Sequence, residues 1–201
     1  MLDVGTGGGE RLIELADSYM SAVGIDNDPD MIAVARENLR GPLSKKIEFR
    51  VASAEAVGLP DASIDVVLNR HSVVVVSEIV RVLNGRGKFI WQTLGERNLA
   101  SVVGPFGGQA PGPDQHPETV RDSFARHGLV IKRLDEYDVP YTFLDLESLL
   151  FQIKAIIHYL PVDPEPQAIS EVLVNVVEST RTTDGHYASS EHRWLLIAEV
   201  P

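Results

Sequence analysis

The chain has 201 residues, 44% of them hydrophobic, enough for one globular core with a small inserted subdomain. It contains no cysteine, which excludes disulfides, thiolate metal sites and thiol nucleophiles, and no apolar run reaches the roughly 18 residues a membrane span requires. The net charge of -11 is uneven: residues 1–134 hold 17 acids and 15 bases, residues 135–201 hold 12 and 3, so the acidic C-terminal third repels phosphate backbones and nucleic acid is not the expected partner.

In chain order, residues 2–4, 22–25, 47–51, 64–68 and 88–94 read as short strands, rich in Val, Ile and Leu as strands buried on both faces should be. Residues 10–18, 31–39 and 74–83 read as helices between them. Asp28 is placed to cap the second helix and Pro29 to open it, and Gly41-Pro42 stops it. Gly85-Arg86-Gly87 reads as a turn before the fifth strand. Residues 104–117 hold four Gly and four Pro and read as a loop. Pro117 then opens a helix that Gly128 closes. Residues 129–134 and 192–200 read as sixth and seventh strands. Between them, two helices at about 145–159 and 166–180 are split by Pro161, Pro164 and Pro166. Residues 145–189 are too long for a hairpin turn and are expected to cap the active-site edge of a core formed by 1–144 and 190–201. Strand–helix alternation implies α/β architecture, a parallel sheet with helices on both faces. The N-terminus lacks a basic region followed by an apolar core, so no secretory signal is read there, and a cytoplasmic location without membrane attachment is the default expectation.

The chemistry concentrates in the first residues, Leu2-Asp3-Val4-Gly5-Thr6-Gly7-Gly8-Gly9-Glu10. A strand runs into a glycine turn and a helix follows, an arrangement that brings backbone close to a ligand and offers it the helix's unpaired N–H groups. A dinucleotide fingerprint requires Gly-x-Gly-x-x-Gly. Counted from Gly5 the third glycine falls on Glu10, and counted from Gly7 on Leu12, so that spacing fails in both registers. The second strand ends in Asp26, 17 residues after Gly9, where an acid suits ribose hydroxyls. An ordinary glycine-rich turn and a merely strand-ending acid are the plain alternatives.

The spacing Asp3-x-Gly5-x-Gly7-x-Gly9 resembles the first motif of class I S-adenosylmethionine (SAM)-dependent methyltransferases, of the type 11-like domain. Asp26-Asn27-Asp28-Pro29-Asp30-Met31, Ala54-Glu55, Leu59-Pro60, residues 62–67 and the helix and turn at 78–85 agree with it. The resemblance is good over residues 2–95 and weak over 117–201. It implies a Rossmann-like, seven-stranded, mostly parallel sheet with helices on both faces and the last strand antiparallel, and SAM as cofactor. It places Gly5, Thr6, Gly7 and Gly9 in the cofactor turn, Asp3 near the cofactor's amino group, Asp26 on the ribose, and Asn27 and Met31 beside the adenine. Ser53, Ala54, Glu55 and Asn69 complete the cofactor set. Two positions depart from the family: Ser53 stands where an acid commonly meets the adenine amino group, and Gly85-Arg86-Gly87 replaces the usual Pro-Gly-Gly. The chain also opens at the first motif, whereas family members carry a helical segment before it; a truncated gene product, or a lid from another chain, is the expectation.

Methyl transfer from a sulfonium is an in-line displacement that depends mainly on alignment at about 3–3.5 Å. His71, after the fourth strand, is the candidate base where the acceptor must lose a proton. Arg70 is a candidate for an acceptor carboxylate or for pairing with a nearby acid, and Gln92 for lining the acceptor pocket. Tyr137, Tyr141, Phe143 and His158-Tyr159 are pocket or core. The remaining histidines show no zinc spacing, so no metal is expected. The leading reading is a methyltransferase acting on a small molecule, with a homodimer allowed. The second is a SAM-binding or degenerate relative with little activity. A nicotinamide oxidoreductase is disfavoured by the glycine spacing.

Overall fold

A computed structural model of the chain describes residues 1–108, 116–156 and 166–201. Its strands are β1 (Leu2–Val4), β2 (Ala22–Asp26), β3 (Ile47–Val51), β4 (Ile64–Arg70), β5 (Leu83–Leu94), β6 (Val130–Phe143) and β7 (Tyr187–Glu199). Its α-helices are α1 (Glu10–Glu14), α2 (Pro29–Asn38), α3 (Val76–Val82), α4 (Ala100–Val103), α5 (Pro117–Arg126), α6 (Leu146–Ile156) and α7 (Pro166–Thr180). The sheet order is β3-β2-β1-β4-β5-β7-β6, with β1 through β5 parallel. The Val200 amide donates to Gly87 and the Gly95 amide to His192, so β7 runs antiparallel to β5. The expected Rossmann-like sheet is therefore present. Its order reverses at β1, which has β2 on one side and β4 on the other; ligands of open α/β sheets bind at such a switch point.

By compactness the chain divides into two units. The first comprises Met1–Thr93, Pro117–Asp135 and Leu195–Pro201. Alternate strand residues face opposite ways. One face packs Leu2, Val4, Ile25, Val67 and Phe89 with Ile79 and Val82 of α3 and Phe124 of α5; Phe124 meets the Phe89 and Trp91 rings edge-on at 5.7 and 6.3 Å. The other packs Ala22, Ile47 and Phe49 with Leu12 of α1 and Ile32 and Ala35 of α2. Asp28 caps α2 as expected, its carboxylate accepting from the Asp30 amide, with Pro29 in the first turn.

The second unit comprises Leu94–His116 and Glu136–Trp194, more chain than the 145–189 insertion suggested by sequence. Its core joins Leu99, Val102 and Phe106 to Leu149, Ile153, Val176 and Tyr187. Phe143 is buried there, and Tyr141 packs edge-on against it at 4.8 Å. His192 is fully buried: its Nδ1 accepts from the Arg97 amide at 3.1 Å, so Nε2 carries the hydrogen and donates to Glu136 at 2.9 Å. His158, Tyr159, Pro161 and Pro164 lie outside the described residues. No helix among the described residues is long and apolar enough to cross a membrane.

Four local expectations are corrected. Residues 10–18 split into α1 and a separate tight turn at Ala16–Ser18. α3 begins at Val76, because the β-branched run before it stays out of the helix. Gly85-Arg86-Gly87 lies inside β5: Ile64 pairs with Leu83 and Val66 with Lys88, so two residues of advance on β4 face five on β5, and 84–87 bulge. β6 and β7 are far longer than expected, since their outer halves are only half-buried and lack the continuous apolar run that marked the inner strands.

Candidate cofactor site

The register of three strands assembles the site. Val4 pairs with Ile25 on one side and Asn69 on the other, so Gly5, Asp26 and Arg70 are the next residue in each chain and emerge together at the carboxyl edge of the sheet. Asp26 also pairs with Val51, which leads to Ser53, and Arg70 pairs with Gln92. The five segments expected to converge do so.

The turn after β1 is held by β2: the Gly5 and Thr6 amides both donate to the Ile25 carbonyl at 2.9 Å. Its glycines serve different ends. A Cβ on Gly9 would lie 2.4 Å from the Phe49 ring, so this position is bare to let helix and sheet meet. Gly7, at φ +56°, would meet nothing within 4 Å, which leaves room for a ligand. Asp26 turns toward that open position. One carboxylate oxygen accepts from the Gly7 amide at 2.9 Å and the other from the Asp28 amide at 3.1 Å. The expected role of the following helix is smaller than the sequence suggested: α1 is five residues long, too short for an appreciable dipole, and the Gly7 N–H is already engaged by Asp26.

Asp3 is 1% exposed. Its Oδ2 accepts from the Thr6 hydroxyl at 2.8 Å, and the nearest Arg70 nitrogen, Nη2, stands at 3.9 Å from that same oxygen. Burial pushes its carboxyl above the ordinary value, against the pull of Thr6 and Arg70, with Asp26 adding to the rise. Asp3 Oδ1 and Arg70 Nε are buried without a hydrogen-bond partner.

Asn69 is fully buried, and both ends of its amide are spent on the loop after β4: Nδ2 donates to the Val73 carbonyl at 2.9 Å and Oδ1 accepts from the Ser72 amide at 3.3 Å. This clamp spans His71, an exposed residue held at φ +58° whose amide donates to the Gln92 carbonyl at 3.1 Å. Ser72 lies directly over Gly5, where a Cβ would come within 2.4 Å of its side chain. Neither the clamp nor Ser72 was legible in the sequence, because 67 residues separate Ser72 from the turn it covers. On the far side, Asn27 and Met31 are exposed, and Ser53 and Ala54 are half-buried. Glu55 is exposed, and the neighbouring Ser53 side chain holds its carboxyl below the usual range.

The residues present fit a nucleoside bearing a polar tail. There is empty space above Gly7, a carboxylate beside it, and orphaned buried polar atoms between β1 and β4. Among the described residues, no group of three or more His, Asp or Glu is placed to hold a metal ion.

Comparison with known proteins agrees. Residues 2–91 match the methyltransferase domain family. An uncharacterized methyltransferase of Bacillus subtilis, YcgJ, is 26% identical over 97 residues, 45% of this chain and 38% of that protein. An uncharacterized methyltransferase of Schizosaccharomyces pombe, C70.08c, is 30% identical over 115 residues, 52% of this chain and 43% of that protein. The matches thus span about two-fifths of these relatives. The crystal structure of YcgJ superposes with a TM-score of 0.67 at 15% identity, covering 98% of this chain and 90% of that one. A geranyl diphosphate methyltransferase solved in complex with SAM superposes with a TM-score of 0.58 at 15% identity, covering 100% and 77%. Residues 2–91 thus resemble the methyltransferase domain family, and the chain shares the fold of solved methyltransferases.

Proposed function

We propose that the edge formed by β1, β2 and β4 binds SAM and that the protein transfers its methyl group to a small-molecule acceptor. The observation that carries this reading is the Asp26 carboxylate held at the Gly7 amide, beside the one glycine of the turn that opens on empty space. SAM supplies an electrophilic methyl on a cationic sulfur that needs no acid to leave. The chain's own task is then to bind and orient. Asp26 accepts from the ribose hydroxyls, and its two backbone donors keep it aimed there. Ser53, Ala54, Glu55, Asn27 and Met31 border the base, with the Ser53 hydroxyl in place of a carboxylate. Asp3 meets the amino group of the tail. His71 and Gln92 face the acceptor, His71 taking a proton where the acceptor carries one. Asn69 serves the site by clamping the loop rather than by touching the cofactor.

The acidic C-terminal third supports a small acceptor over a polynucleotide. One observation favours the second reading, a SAM binder with little activity: Ser53 stands where the family commonly has an acid, and a hydroxyl accepts more weakly than a carboxylate. Calorimetry with S-adenosylhomocysteine (SAH) tests the site. The wild-type protein is expected to bind it, and Asp26→Ala to weaken it by about tenfold or more, as loss of hydrogen bonds to a charged group does. A wild-type protein that gives no binding heat overturns the reading. Release of SAH from SAM in the presence of a metabolite pool separates the enzyme from the mere binder.

A further inference from the structure

We infer that α6 is a docking surface for a second copy of this chain, two α6 helices pairing antiparallel about a twofold axis that passes between Leu150 and Phe151. The inference goes beyond the cofactor reading and does not depend on it.

α6 has two apolar faces. Leu149 and Ile153, one turn apart, point inward and are buried in the core of the second unit. Leu146, Leu150 and Phe151 point outward, and Phe151 is 73% exposed. A surface helix carries charge on its outer face, whereas a helix apolar around most of its circumference is a buried helix. In this chain the outer face stays open to solvent. Five side chains, Leu146, Glu147, Leu150, Phe151 and Lys154, line one shallow open depression on it. All five come from a single helix, so this surface cannot enclose a small molecule as a ligand pocket does. It is shaped to meet another open face.

The charges say which face that is. Glu147 and Lys154 are both exposed, and among the described residues neither side chain takes part in an ion pair or hydrogen bond. Seven residues make nearly two turns, so the two charges lie on one stripe about 10.5 Å apart. The point midway between them falls between Leu150 and Phe151. A twofold axis at that point sets Glu147 of each copy opposite Lys154 of the other, with Leu150 and Phe151 of both copies gathered at the axis. Parallel pairing would instead set acid against acid and base against base. The stripe is therefore its own complement in the antiparallel sense alone, which is what an isologous contact requires. The stems of Glu147 and Lys154 widen the apolar area while their heads pair. An anionic lipid surface is a poorer match, because Glu147 stands on the stripe and residues 135–201 carry 12 acids against 3 bases. One helix face is smaller than a standard interface, so the dimer is expected to be weak and concentration-dependent.

Sedimentation equilibrium on the full chain, from about 1 μM to about 500 μM, tests the pairing. Wild-type protein is expected to pass from monomer toward dimer over that range. Phe151→Asp should weaken dimerisation by about tenfold or more, as loss of a central aromatic anchor does. Glu147→Lys and Lys154→Glu each bring like charges together at both ends of the contact, and each should weaken it by about tenfold or more. Mixed in equal amounts, these two variants should dimerise with one another, and the double variant Glu147→Lys/Lys154→Glu should regain wild-type association. A wild-type chain that stays monomeric throughout overturns the proposal. So does a dimer that Phe151→Asp and both charge reversals leave intact, since its contact then lies on another face. Failure of the mixture and of the double variant to recover association overturns the antiparallel pairing. Should Phe151→Asp fail to fold, the exposed charge positions and their mixture decide the matter. SAH binding bears on none of these outcomes, so the two readings stand or fall separately.

Discussion

The two exits beside β1 are built on opposite principles. Toward β2, the polar groups of the turn and strand end have been paired within the chain: the Ile25 carbonyl takes two amides, Asp26 takes two more, and Gly9 meets Phe49 without a gap. Toward β4, an acid and an arginine sit 3.9 Å apart with an oxygen and a nitrogen left over. The first exit is preorganised and contributes to folding before any ligand arrives. The second is frustrated, its buried acid and arginine standing side by side without satisfying one another. Such local cost tends to collect where a ligand completes the structure.

Substitutions on the two sides should therefore act in opposite directions. The largest effect is expected on the satisfied side. Gly9→Ala drives a methyl into the Phe49 ring at a φ of +77°, and overpacking together with left-handed strain should destabilise the fold by about 2–4 kcal/mol. Denaturant melts check this, and an unchanged midpoint would remove the claim that this glycine exists for packing. Asp3→Asn, on the frustrated side, should do the reverse and stabilise the unliganded protein by on the order of 1 kcal/mol near neutral pH, while abolishing the preference for SAH over 5′-methylthioadenosine, the nucleoside without the amino-acid tail. Its pH dependence has a definite sign. A carboxyl raised in the folded state holds its proton more tightly there, so the wild-type protein loses stability as pH climbs from the ordinary value of 3.8 through the raised one. The variant does not titrate at this position, so its advantage should be greatest at neutral pH and close as pH falls toward 3.8; a gap that widens on acidification would contradict the burial argument. The smallest effect on stability is expected from Gly7→Ala, about 1 kcal/mol of left-handed strain without a clash. The methyl enters the open space above the turn, so SAH binding should suffer more than the melting midpoint does. Equal binding by this variant would place the ligand elsewhere.

The first exit was legible in the sequence and the second was not, for a physical reason. The strand, glycine turn and helix are contiguous, and Asp26 ends the next strand, so spacing alone located them. Asp28 and Pro29 announced the start of α2 because capping is a local transaction. Arg70 and Asp3 are 67 residues apart, and the distance between them depends on how β4 pairs with β1. Asn69 was read as a cofactor residue because a polar side chain at a strand end usually faces a ligand; its burial under the Ser72–Val73 backbone shows only in three dimensions. The bulge at 84–87 was read as a turn since glycines mark both, and only the partner strand tells them apart.

By itself, then, the sequence determined the alternation of strands and helices, the glycine turn, the acid that faces it and the resemblance of residues 2–91 to the methyltransferase domain family, all properties of neighbours along the chain. Tertiary structure decided which buried charges were satisfied and which were left open, how far β6 and β7 extend, and that a serine from the loop after β4 covers Gly5. Those features depend on strand register, and register is settled only when the strands pack into one sheet.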